Sequence, residues 1–250
     1  MPSISVIIIT KNEAANIRAC LESVAWADEI IAVDSGSTDD TVSICKAMGA
    51  RVYVHADWQG FGQQKNRALS YATKDWVLSI DADERVTPEL REELIQAMNE
   101  EYASGYYLPR LSQFCGALIH HSGWYPDYVL RLFKRDAGRF SDNLVHESVL
   151  LTGRTAKLKS PLSHYSYLTI DDVERKVEHY STAAAQQMFQ SGKQSNWPDA
   201  ALRAGWAFVR TYVLRLGVLD GSAGLNIARM NARTTYLKYR KLEVLRSANY

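Results

Sequence analysis

Short apolar runs alternate with helix-like segments through residues 1–100, and this alternation restricts the fold more than any other feature of the sequence. The apolar runs cover Ser5–Thr10, Glu29–Asp34, Arg51–His55 and Trp76–Asp81. Continuous β-branched runs of this kind are typical of strands buried on both faces of a sheet. Strands and helices alternating at this spacing indicate right-handed βαβ units. The sequence therefore predicts an α/β fold with a mostly parallel, Rossmann-like sheet flanked by helices.

The pattern changes after Gly105, where strand-like pieces are separated by a loop rich in glycine, histidine and aromatic residues. A capping box at Thr169–Asp172 predicts the start of a long helix. Beyond residue 200, basic, aromatic and aliphatic residues recur at helical spacing. The predicted divisions are a domain at residues 1–195, with halves 1–100 and 101–195, and a helical C-terminal extension at residues 196–250.

The formal net charge of +1 conceals an uneven distribution. Residues 201–250 carry nine basic side chains against two acidic ones, a sum of +7, so the first 200 residues sum to −6. Basic residues mixed with aromatic and aliphatic ones at helical spacing are typical of a helix lying in the interface of an anionic membrane. The residues concerned are Arg203, Trp206, Phe208, Arg210, Tyr212, Leu214, Arg215 and Leu216. The alternatives are a helix that covers the domain with solvated arginines, or a nucleic-acid patch.

The location of the protein is constrained by its apolar runs and its cysteines. No run reaches the roughly 18 apolar residues that a membrane-spanning helix needs, and Ile4–Ile9 is too short for a signal sequence. The three cysteines are scattered, which fits a reducing compartment better than a disulfide framework. The near-neutral total charge gives no sign of a nucleic-acid partner. We therefore expect a cytoplasmic protein whose contact with the inner face of the cytoplasmic membrane is peripheral.

Polar side chains follow the predicted strands at their carboxyl ends, where open parallel sheets bind ligands. They are Thr10, Asn12, Glu13, Asp34, Ser35, Asp81, Asp83 and Glu84. Neither GxGxxG nor a P-loop motif follows the first strand, which argues against a dinucleotide dehydrogenase or a P-loop enzyme. A group of carboxylates instead suits a divalent metal ion carrying a phosphorylated ligand. The alternative is that these aspartates only cap helices or form turns.

Several segments resemble the motifs of one enzyme family. Family 2 glycosyltransferases of the GT-A fold carry similar segments in the same order as VIIITKNEA, EIIAVDSGSTDDT, QKNRAL and DWVLSIDADERV. Further along the chain, GWYPDYVLRLFKR, the VHE of Val145–Glu147, LSHYSY and LGVLDG resemble one bacterial branch of that family. This branch includes the lipopolysaccharide inner-core β-1,4-glucosyltransferases. The resemblance extends over nearly the whole chain.

The resemblance implies a nucleotide-sugar pocket. It assigns to that pocket Thr10, Asn12, Glu13, Asp34, Ser35, Lys65, Asn66 and Asp81. Asp34 would lie near the uracil or ribose, although many relatives have a second acid where this chain has Ser35. Lys65 would neutralise the diphosphate, unless it is a solvated helix charge, and Asp83 would ligate a divalent metal ion, Mg²⁺ or Mn²⁺. The alternative is a histidine-based metal site formed by His120, His121 and His164, but their spacing matches no zinc signature such as HExxH.

Family 2 enzymes invert the configuration of the transferred sugar, which requires one carboxylate to act as general base on the acceptor hydroxyl. Glu147, in the VHE segment, is the expected base, and Asp142 and Asp127 are the alternatives. Contacts with the acceptor or the diphosphate are expected from Trp124, Tyr125, Asp127, Arg131 and His146. Core packing is the alternative for the two rings, an ion pair with a nearby acid for Arg131, and a purely structural role for His146.

Together these features predict a metal-dependent inverting glycosyltransferase whose donor is a nucleotide sugar, UDP-glucose above others. The expected acceptor is a lipid-linked glycan, a heptose of the lipopolysaccharide inner core, reached at an anionic inner-leaflet surface. Another donor sugar or a polysaccharide acceptor is the alternative within the family. A nucleotidyltransferase would typically carry a glycine-rich phosphate loop, which is absent. A non-catalytic sugar-binding module would have no need for Asp83 and Glu147 together.

Overall fold

The computed structural model of the protein describes residues 2–100, 102–141 and 148–247. The chain divides into two compact units. The sheet unit consists of residues 1–110 and 127–164, and the helical unit of residues 111–126 and 165–250. The predicted boundary at residue 195 does not coincide with a boundary between these two units. It stays a prediction about the extent of the family domain.

The sheet unit begins with the alternating strands and helices that the sequence predicts. Its first elements are β1 (Ile4–Thr10), α1 (Ile17–Ser23), β2 (Glu29–Asp34), α2 (Thr41–Ala47), β3 (Arg51–Val54), α3 (Phe61–Tyr71), β4 (Trp76–Asp81), β5 (Glu84–Val86) and α4 (Pro88–Glu100). β1 is continuously apolar because both of its faces are covered: Ile7 and Ile8 are buried in two different clusters of the core. The predicted strands are thereby confirmed.

Shorter strands follow. They are β6 (Gly105–Phe114), β7 (Ala117–Leu118), β8 (Asp127–Lys134), β9 (Gly138–Phe140), β10 (Val149–Leu151), β11 (Thr155–Lys157) and β12 (Leu162–Tyr167). β7 belongs to the helical unit, and β6 and β12 each run from the sheet unit into it.

The sheet is parallel where the sequence shows βαβ units and antiparallel beyond them. β3, β2, β1 and β4 lie side by side in this order, and all are parallel. β8 pairs antiparallel with β4, and β6 pairs antiparallel with β8. β5 and β12 form a further antiparallel pair, in which Glu84 lies opposite His164. This pairing brings a histidine from late in the chain beside the carboxylates that follow β4.

Long helices make up most of the helical unit. They are α5 (Ile170–Gln190), α6 (Trp197–Val209) and α7 (Gly221–Ser247). The predicted capping box at the start of α5 is confirmed, since Thr169 Oγ1 accepts the Asp172 backbone N–H at 3.2 Å and the Asp172 carboxylate accepts the Thr169 N–H at 2.9 Å. α7 packs against both α5 and α6. No helix within the described residues is long and apolar enough to cross a membrane.

The connection between α6 and α7 is a compact turn. It consists of a π-helical segment, Arg210–Leu214, and a 3₁₀ segment, Gly217–Asp220. Asp220 accepts hydrogen bonds from Ser122 Oγ at 2.7 Å and from the His121 backbone N–H at 3.1 Å. A Cβ on Gly224 would lie only 1.8 Å from the Gly217 carbonyl oxygen. The LGVLDG segment therefore has a structural role. The carbonyl of its Gly217 lies close to the α7 backbone at Gly224, and its Asp220 anchors the loop at residues 120–122.

Candidate functional site

A cavity of about 370 Å³ lies in the sheet unit, where β1 and β4 end. Its walls are Ile9, Thr10, Lys11, Glu13, Ser35, Trp58, Phe61, Asp81, Ala82 and Asp83. The parallel register explains this grouping, because Thr10 lies opposite Asp34 and Ile9 lies opposite Asp81. Residues that are far apart in sequence thus meet at one edge of the sheet, as expected for the ligand site of an open parallel sheet.

Asp34 holds the backbone next to the cavity without lining it. Its side chain is buried, and it accepts hydrogen bonds from Thr10 Oγ1 at 3.1 Å, from the backbone N–H groups of Gly36 and Ser37 at 2.9 and 2.8 Å, and from Ser37 Oγ. Both carboxylate oxygens therefore hold the turn after β2. In this structure Asp34 fixes Thr10, which lines the cavity, and the turn that follows Ser35, and it does not itself form part of the cavity wall.

Asn12 and Glu13 connect the loops that follow β1 and β2. Asn12 adopts a left-handed backbone conformation with φ 56°, and its Oδ1 accepts the Thr38 N–H at 2.8 Å. The Glu13 N–H donates to Thr41 Oγ1 at 2.7 Å, and Glu13 Oε2 accepts from Asn16 at 2.9 Å. Glu13 lies in the cavity wall, whereas Asn12 acts as a brace between the two loops.

A buried network of ionic side chains surrounds the end of β4. Lys65 Nζ lies 3.1 Å from Asp81 Oδ1, and Arg131 Nη2 lies 2.6 Å from Asp81 Oδ2. The same Nη2 atom contacts Glu84 Oε1 at 2.6 Å, and Glu84 Oε2 accepts the Asp81 backbone N–H at 2.9 Å. Of the two sequence interpretations of Arg131, the structure places it in an ion pair with nearby acids. Asp81 thus faces the cavity with both oxygens already bound by cations.

The pKa values in this network follow from burial and from the adjacent charges. Burial alone raises the pKa of Asp81, but Arg131 and Lys65 outweigh it and hold that pKa well below its ordinary value. Burial raises the pKa of Glu84, with Arg131 acting in the opposite direction. Burial lowers the pKa of Arg131, yet Asp81 and Glu84 overcome this effect and raise it. Asp81 is therefore a firmly ionised carboxylate whose charge is neutralised by the protein.

Arg110 extends the network toward Asp127. Its Nη1 lies 3.7 Å from Glu84 Oε1, and its Nε and Nη2 donate to Asp127 Oδ2 at 3.0 and 2.6 Å. From the sequence, Asp127 is expected either to contact the acceptor or to act as an alternative base. The structure shows that one of its oxygens receives two hydrogen bonds from the Arg110 guanidinium, so this oxygen is already bound by a protein side chain.

Asp83 differs from Asp81 in its surroundings. Within the described residues it contacts the imidazole of His164, whose Nε2 lies 3.4 Å from Asp83 Oδ2. A carboxylate and an imidazole together are suitable ligands for a divalent transition-metal ion such as Mn²⁺. The described residues contain no group of three or more His, Cys, Asp or Glu side chains arranged to hold a metal ion. An ion at Asp83 would therefore need further ligands from a bound phosphate or water, as is usual for Mg²⁺ sites that carry phosphorylated substrates.

Other predicted site residues lie away from the cavity wall. Asn66 forms two hydrogen bonds of 2.9 Å with the backbone of Phe140, one as donor and one as acceptor. Trp124 packs in the core of the helical unit against Phe114 and Tyr167, with ring centroids 5.9 and 5.8 Å away. Core packing is thus the observed environment of Trp124.

Tyr125 also belongs to the helical unit, where its ring meets the edge of His120 at 5.9 Å. Asp142, His146 and Glu147 lie outside the described residues. Their assigned roles as base or acceptor contact stay predictions.

Three residues near the site are not singled out for it by the sequence. Trp58 and Phe61 stand in the cavity wall with nearly half of each side chain exposed, and their ring centroids are 4.8 Å apart. In the sequence, the two aromatic residues just before the predicted helix are the signal that points to this part of the cavity wall. From the sequence, His164 is a candidate only for a histidine-based metal site, and the LSHYSY segment that contains it is the signal that points to it.

The sequence of the chain is similar to those of known glycosyltransferases. The sequence profile described as Glycosyl transferase family 2 matches residues 5–146, more than half of the chain. A glycosyltransferase of Rickettsia prowazekii, itself uncharacterised, is 32% identical over 98% of this chain and 88% of its own length. The lipopolysaccharide core biosynthesis glycosyltransferase LpsC of Rhizobium meliloti is 32% identical over 84% of this chain and 80% of its own.

A solved structure supports the fold. S. aureus TarS (residues 1–349), also determined in complex with UDP, is similar with a TM-score of 0.50 and 16% identity, over 99% of this chain and 92% of that one. At this level of identity the similarity bears on the fold alone. It confirms the predicted GT-A architecture with a helical C-terminal region.

Proposed function

Because the chain belongs to glycosyl transferase family 2, we propose that it transfers glucose from UDP-glucose, with inversion, to a heptose of a lipid-linked lipopolysaccharide inner core. The observation that carries this proposal is the contrast between two carboxylates at the cavity. Two cations neutralise Asp81, whereas within the described residues Asp83 has no lysine or arginine partner and lies beside the imidazole of His164. The similarity to LpsC, named for lipopolysaccharide core biosynthesis, supports the class of acceptor.

Asp83 and His164 are the side chains that would hold a divalent ion, Mg²⁺ or Mn²⁺. A bound ion would supply the positive charge that stabilises a departing diphosphate. Asp81 is held by Lys65 and Arg131, so it keeps its position beside Asp83 whether or not a ligand is present. A preorganised charge of this kind needs no rearrangement during the reaction.

The nucleoside would lie against the aromatic part of the cavity. Trp58 and Phe61 offer exposed ring surfaces, and stacking of a base on such rings is worth about 1–3 kcal/mol. Thr10, Glu13 and Ser35 provide polar groups on the same cavity wall. A mixture of apolar surface and a few fixed polar groups is typical of small-molecule sites.

Glu147 is the proposed general base. The acceptor hydroxyl oxygen would attack the anomeric carbon while the bond from that carbon to the UDP oxygen breaks, and the hydroxyl proton would pass to the Glu147 carboxylate. This assignment comes from the VHE segment and its resemblance to the family. Asp127 is less suited to the role because Arg110 already donates two hydrogen bonds to it.

A lipid-linked acceptor requires the enzyme to work at a membrane surface. We propose a cytoplasmic protein that associates peripherally with the anionic inner leaflet. The +7 charge of residues 201–250 supports this location, since each basic residue near such a surface contributes about 1 kcal/mol of attraction.

The Asp83→Ala variant tests the metal site. We expect UDP release from UDP-glucose and acceptor to fall by about 10³-fold, as when a charge-stabilising group is removed from an active site. Asp136→Asn is the control, because Asp136 is a highly exposed aspartate of the same unit whose ionic partner, Arg135, also lies outside the cavity wall. Undiminished turnover in Asp83→Ala would contradict the metal assignment.

The Glu147→Gln variant tests the base. Donor binding should be retained, while transfer should fall by roughly 10²- to 10⁴-fold, the usual contribution of general base catalysis. Calorimetry with UDP-glucose measures the first property and a transfer assay the second. Normal transfer would exclude Glu147 and direct attention to Asp142 or Asp127.

Calorimetric binding of a panel of nucleotide sugars, with Mg²⁺ or Mn²⁺, tests the donor. We expect UDP-glucose to bind more tightly than sugars carried on other nucleotides, and binding to weaken when the metal is chelated. A clear preference for another sugar would replace glucose in the proposal and leave the reaction type intact.

A further inference from the structure

Helix α6 exposes its most apolar face. Leu202, Trp206, Val209 and Val213 recur at intervals of four, three and four residues, so they form one stripe along α6 and the π-helical segment that follows it. Their exposed fractions are 76%, 57%, 41% and 54%. We refer to these four residues as the outer face of α6. A surface helix normally turns such a stripe toward a core.

The opposite side of α6 carries the residues that pack inward. Ala200 and Thr211 are buried, and Phe208 is half-buried. The only charged residues of α6, Asp199 and Arg203, form an ion pair with each other at 2.8 Å. α6 is therefore apolar on nearly all sides, and a helix of this composition is usually covered.

The apolar surface continues beyond α6. The exposed apolar residues of the following turn are Leu214, Leu216, Val218 and Leu219. This turn is fixed, since Asp220 accepts hydrogen bonds from the loop at residues 120–122 and Gly217 packs closely on Gly224. The patch is thus held in shape by the fold.

Positive charge borders the patch. Arg210 and Arg215 are exposed, and neither forms an ion pair with another described residue. Both side chains are cations, so the border of the patch favours an anionic partner.

We propose that the outer face of α6, together with the adjoining turn, docks on an anionic lipid bilayer with α6 lying parallel to the membrane plane. This inference deepens the proposed action on a lipid-linked acceptor and rests on it for its biological purpose. The 13 residues of α6 span about 20 Å, which is short of the roughly 30 Å of a bilayer core. A second copy of the chain would bring the same +7 segment and be repelled.

The structure also changes which aromatic residues can take part in such a contact. The sequence groups Phe208 and Tyr212 with Trp206 as interfacial residues. In the structure Phe208 and Tyr212 are both half-buried, with ring centroids 5.5 Å apart, and only Trp206 of the three is largely exposed. Leu202, which does not belong to the group expected from the sequence, is the most exposed residue of the outer face.

Co-sedimentation of the full-length protein with liposomes tests the docking face. The wild type should bind vesicles containing anionic phosphatidylglycerol and bind vesicles of phosphatidylcholine at least tenfold more weakly. The double variant Leu202→Ser, Trp206→Ser should lose at least tenfold in partition to the anionic vesicles. The matched control, Ile170→Ser with Val244→Ser, removes two similarly exposed apolar side chains from α5 and α7 and should bind as the wild type does.

A labelling experiment tests the same face without removing its apolar character. An environment-sensitive fluorophore is attached to Leu202→Cys in a Cys115→Ser background, where the remaining cysteines, Cys20 and Cys45, are buried. Its emission should shift to the blue on addition of anionic vesicles, and the same label on Val244→Cys should not respond. A response at both positions or at neither would overturn the proposal.

The outcomes separate this proposal from the proposed function. Neither experiment needs a nucleotide sugar, and transfer to a detergent-dispersed acceptor is assayed independently. Wild-type protein that transfers sugar but fails to bind anionic vesicles would overturn the docking face and the peripheral location, and would leave the proposed transfer reaction intact. If sedimentation velocity instead shows a dimer that the double variant dissociates, the face is an interface between copies and the membrane proposal is wrong.

Discussion

The two units of this chain place opposite kinds of residue in unusual positions. The sheet unit buries charge: Lys65, Glu84 and Arg131 are each at most 4% exposed. The helical unit exposes apolar surface: Leu202 and Trp206 are 76% and 57% exposed. Both arrangements are unfavourable for an isolated soluble protein. We propose that each arrangement serves a partner, a diphosphate-containing donor for the sheet unit and a lipid surface for the helical unit.

The energetic consequences of the two arrangements differ. A buried ionic network depends on every member, because removing one leaves another charge buried and unpaired. An exposed apolar patch contributes little to folding, and its worth appears only when it is covered. The sheet unit should therefore be sensitive in its ion pairs, and the helical unit in its close backbone packing. Matched substitutions in the two units test this difference.

The same substitution in the two units should give the largest contrast. Arg131→Met leaves Asp81 and Glu84 without their shared partner, so we expect the free energy of unfolding to fall by about 3–5 kcal/mol. Arg233→Met removes an ion pair with Glu174 that is about half exposed, and should cost less than about 1 kcal/mol. Urea unfolding of both variants measures the difference. Equal losses would remove the distinction between the units.

Glycine substitutions should show what holds the helical unit together. A Cβ at Gly224 would clash with the Gly217 carbonyl, so Gly224→Ala should lower stability by about 2–3 kcal/mol. A Cβ at Gly205, within α6, would have nothing within 4 Å, so Gly205→Ala should raise stability by about 0.5–1 kcal/mol. Thermal unfolding followed by circular dichroism gives both values. Unchanged or raised stability in Gly224→Ala would show that the close backbone approach at Gly217 is unimportant.

The pH dependence of stability should differ between buried and exposed carboxylates. Burial raises the pKa of Glu29, but hydrogen bonds from Ser5 and Thr73 and the charge of Arg51 hold it below its ordinary value. A lowered pKa stabilises the fold above the unfolded-state pKa, about 4.3, and this contribution is lost as the pH falls below it. Glu29→Gln should therefore lower stability by about 1–2 kcal/mol at pH 7 and flatten its decline in acid.

Glu178 of the helical unit is the control for that experiment. Lys241 holds the pKa of Glu178 below its ordinary value as well, but the carboxylate is largely exposed. Glu178→Gln should leave the pH profile close to that of the wild type, since solvent screens an exposed pair. The urea midpoints of unfolding are measured between pH 7 and pH 3. Parallel pH profiles for the wild type and Glu29→Gln would show that Glu29 does not contribute to the acid dependence of stability.

The exposed aromatic residues of the two units should have separate roles. Their substitutions should have smaller effects than those of the variants above. Trp58→Ala should raise the KM for the nucleotide sugar about fivefold, from the loss of about 1 kcal/mol of stacking, with kcat and liposome binding unchanged. Trp206→Ala should weaken liposome binding and leave the KM unchanged. Enzyme kinetics with a detergent-dispersed acceptor and vesicle sedimentation measure the two properties. An effect of either variant on both would break the proposed separation.

Much of the sheet unit was predictable because its signals are local. β1 and β4 are apolar runs ending in polar residues, and parallel pairing then places Thr10 and Asp81 at one edge. The short pair formed by β5 and β12 was not predictable, since it joins residues about eighty positions apart through three backbone pairs. For the same reason the proximity of His164 to Asp83 could not be read from spacing.

The helical unit was predictable less completely, for a different reason. The capping box at Thr169 is a local signal that the sequence shows directly. The outward direction of α6 is not, because hydrophobic periodicity identifies a buried stripe only when the opposite side is polar. In α6 both sides are apolar, so the pattern could not show whether Phe208 or Trp206 would face outward.

The α/β fold, the carboxylates at the strand ends and the membership of the family follow from the sequence, because they depend on periodicity and on motifs that lie close together in the chain. Which of the two aspartates at the end of β4 is neutralised depends instead on tertiary contacts. Arg131 reaches Asp81 because β8 pairs antiparallel with β4, whereas the separate pairing of β5 with β12 brings His164 to Asp83. The strength of a charge interaction depends on separation in space and on burial, and neither quantity is written in the order of residues.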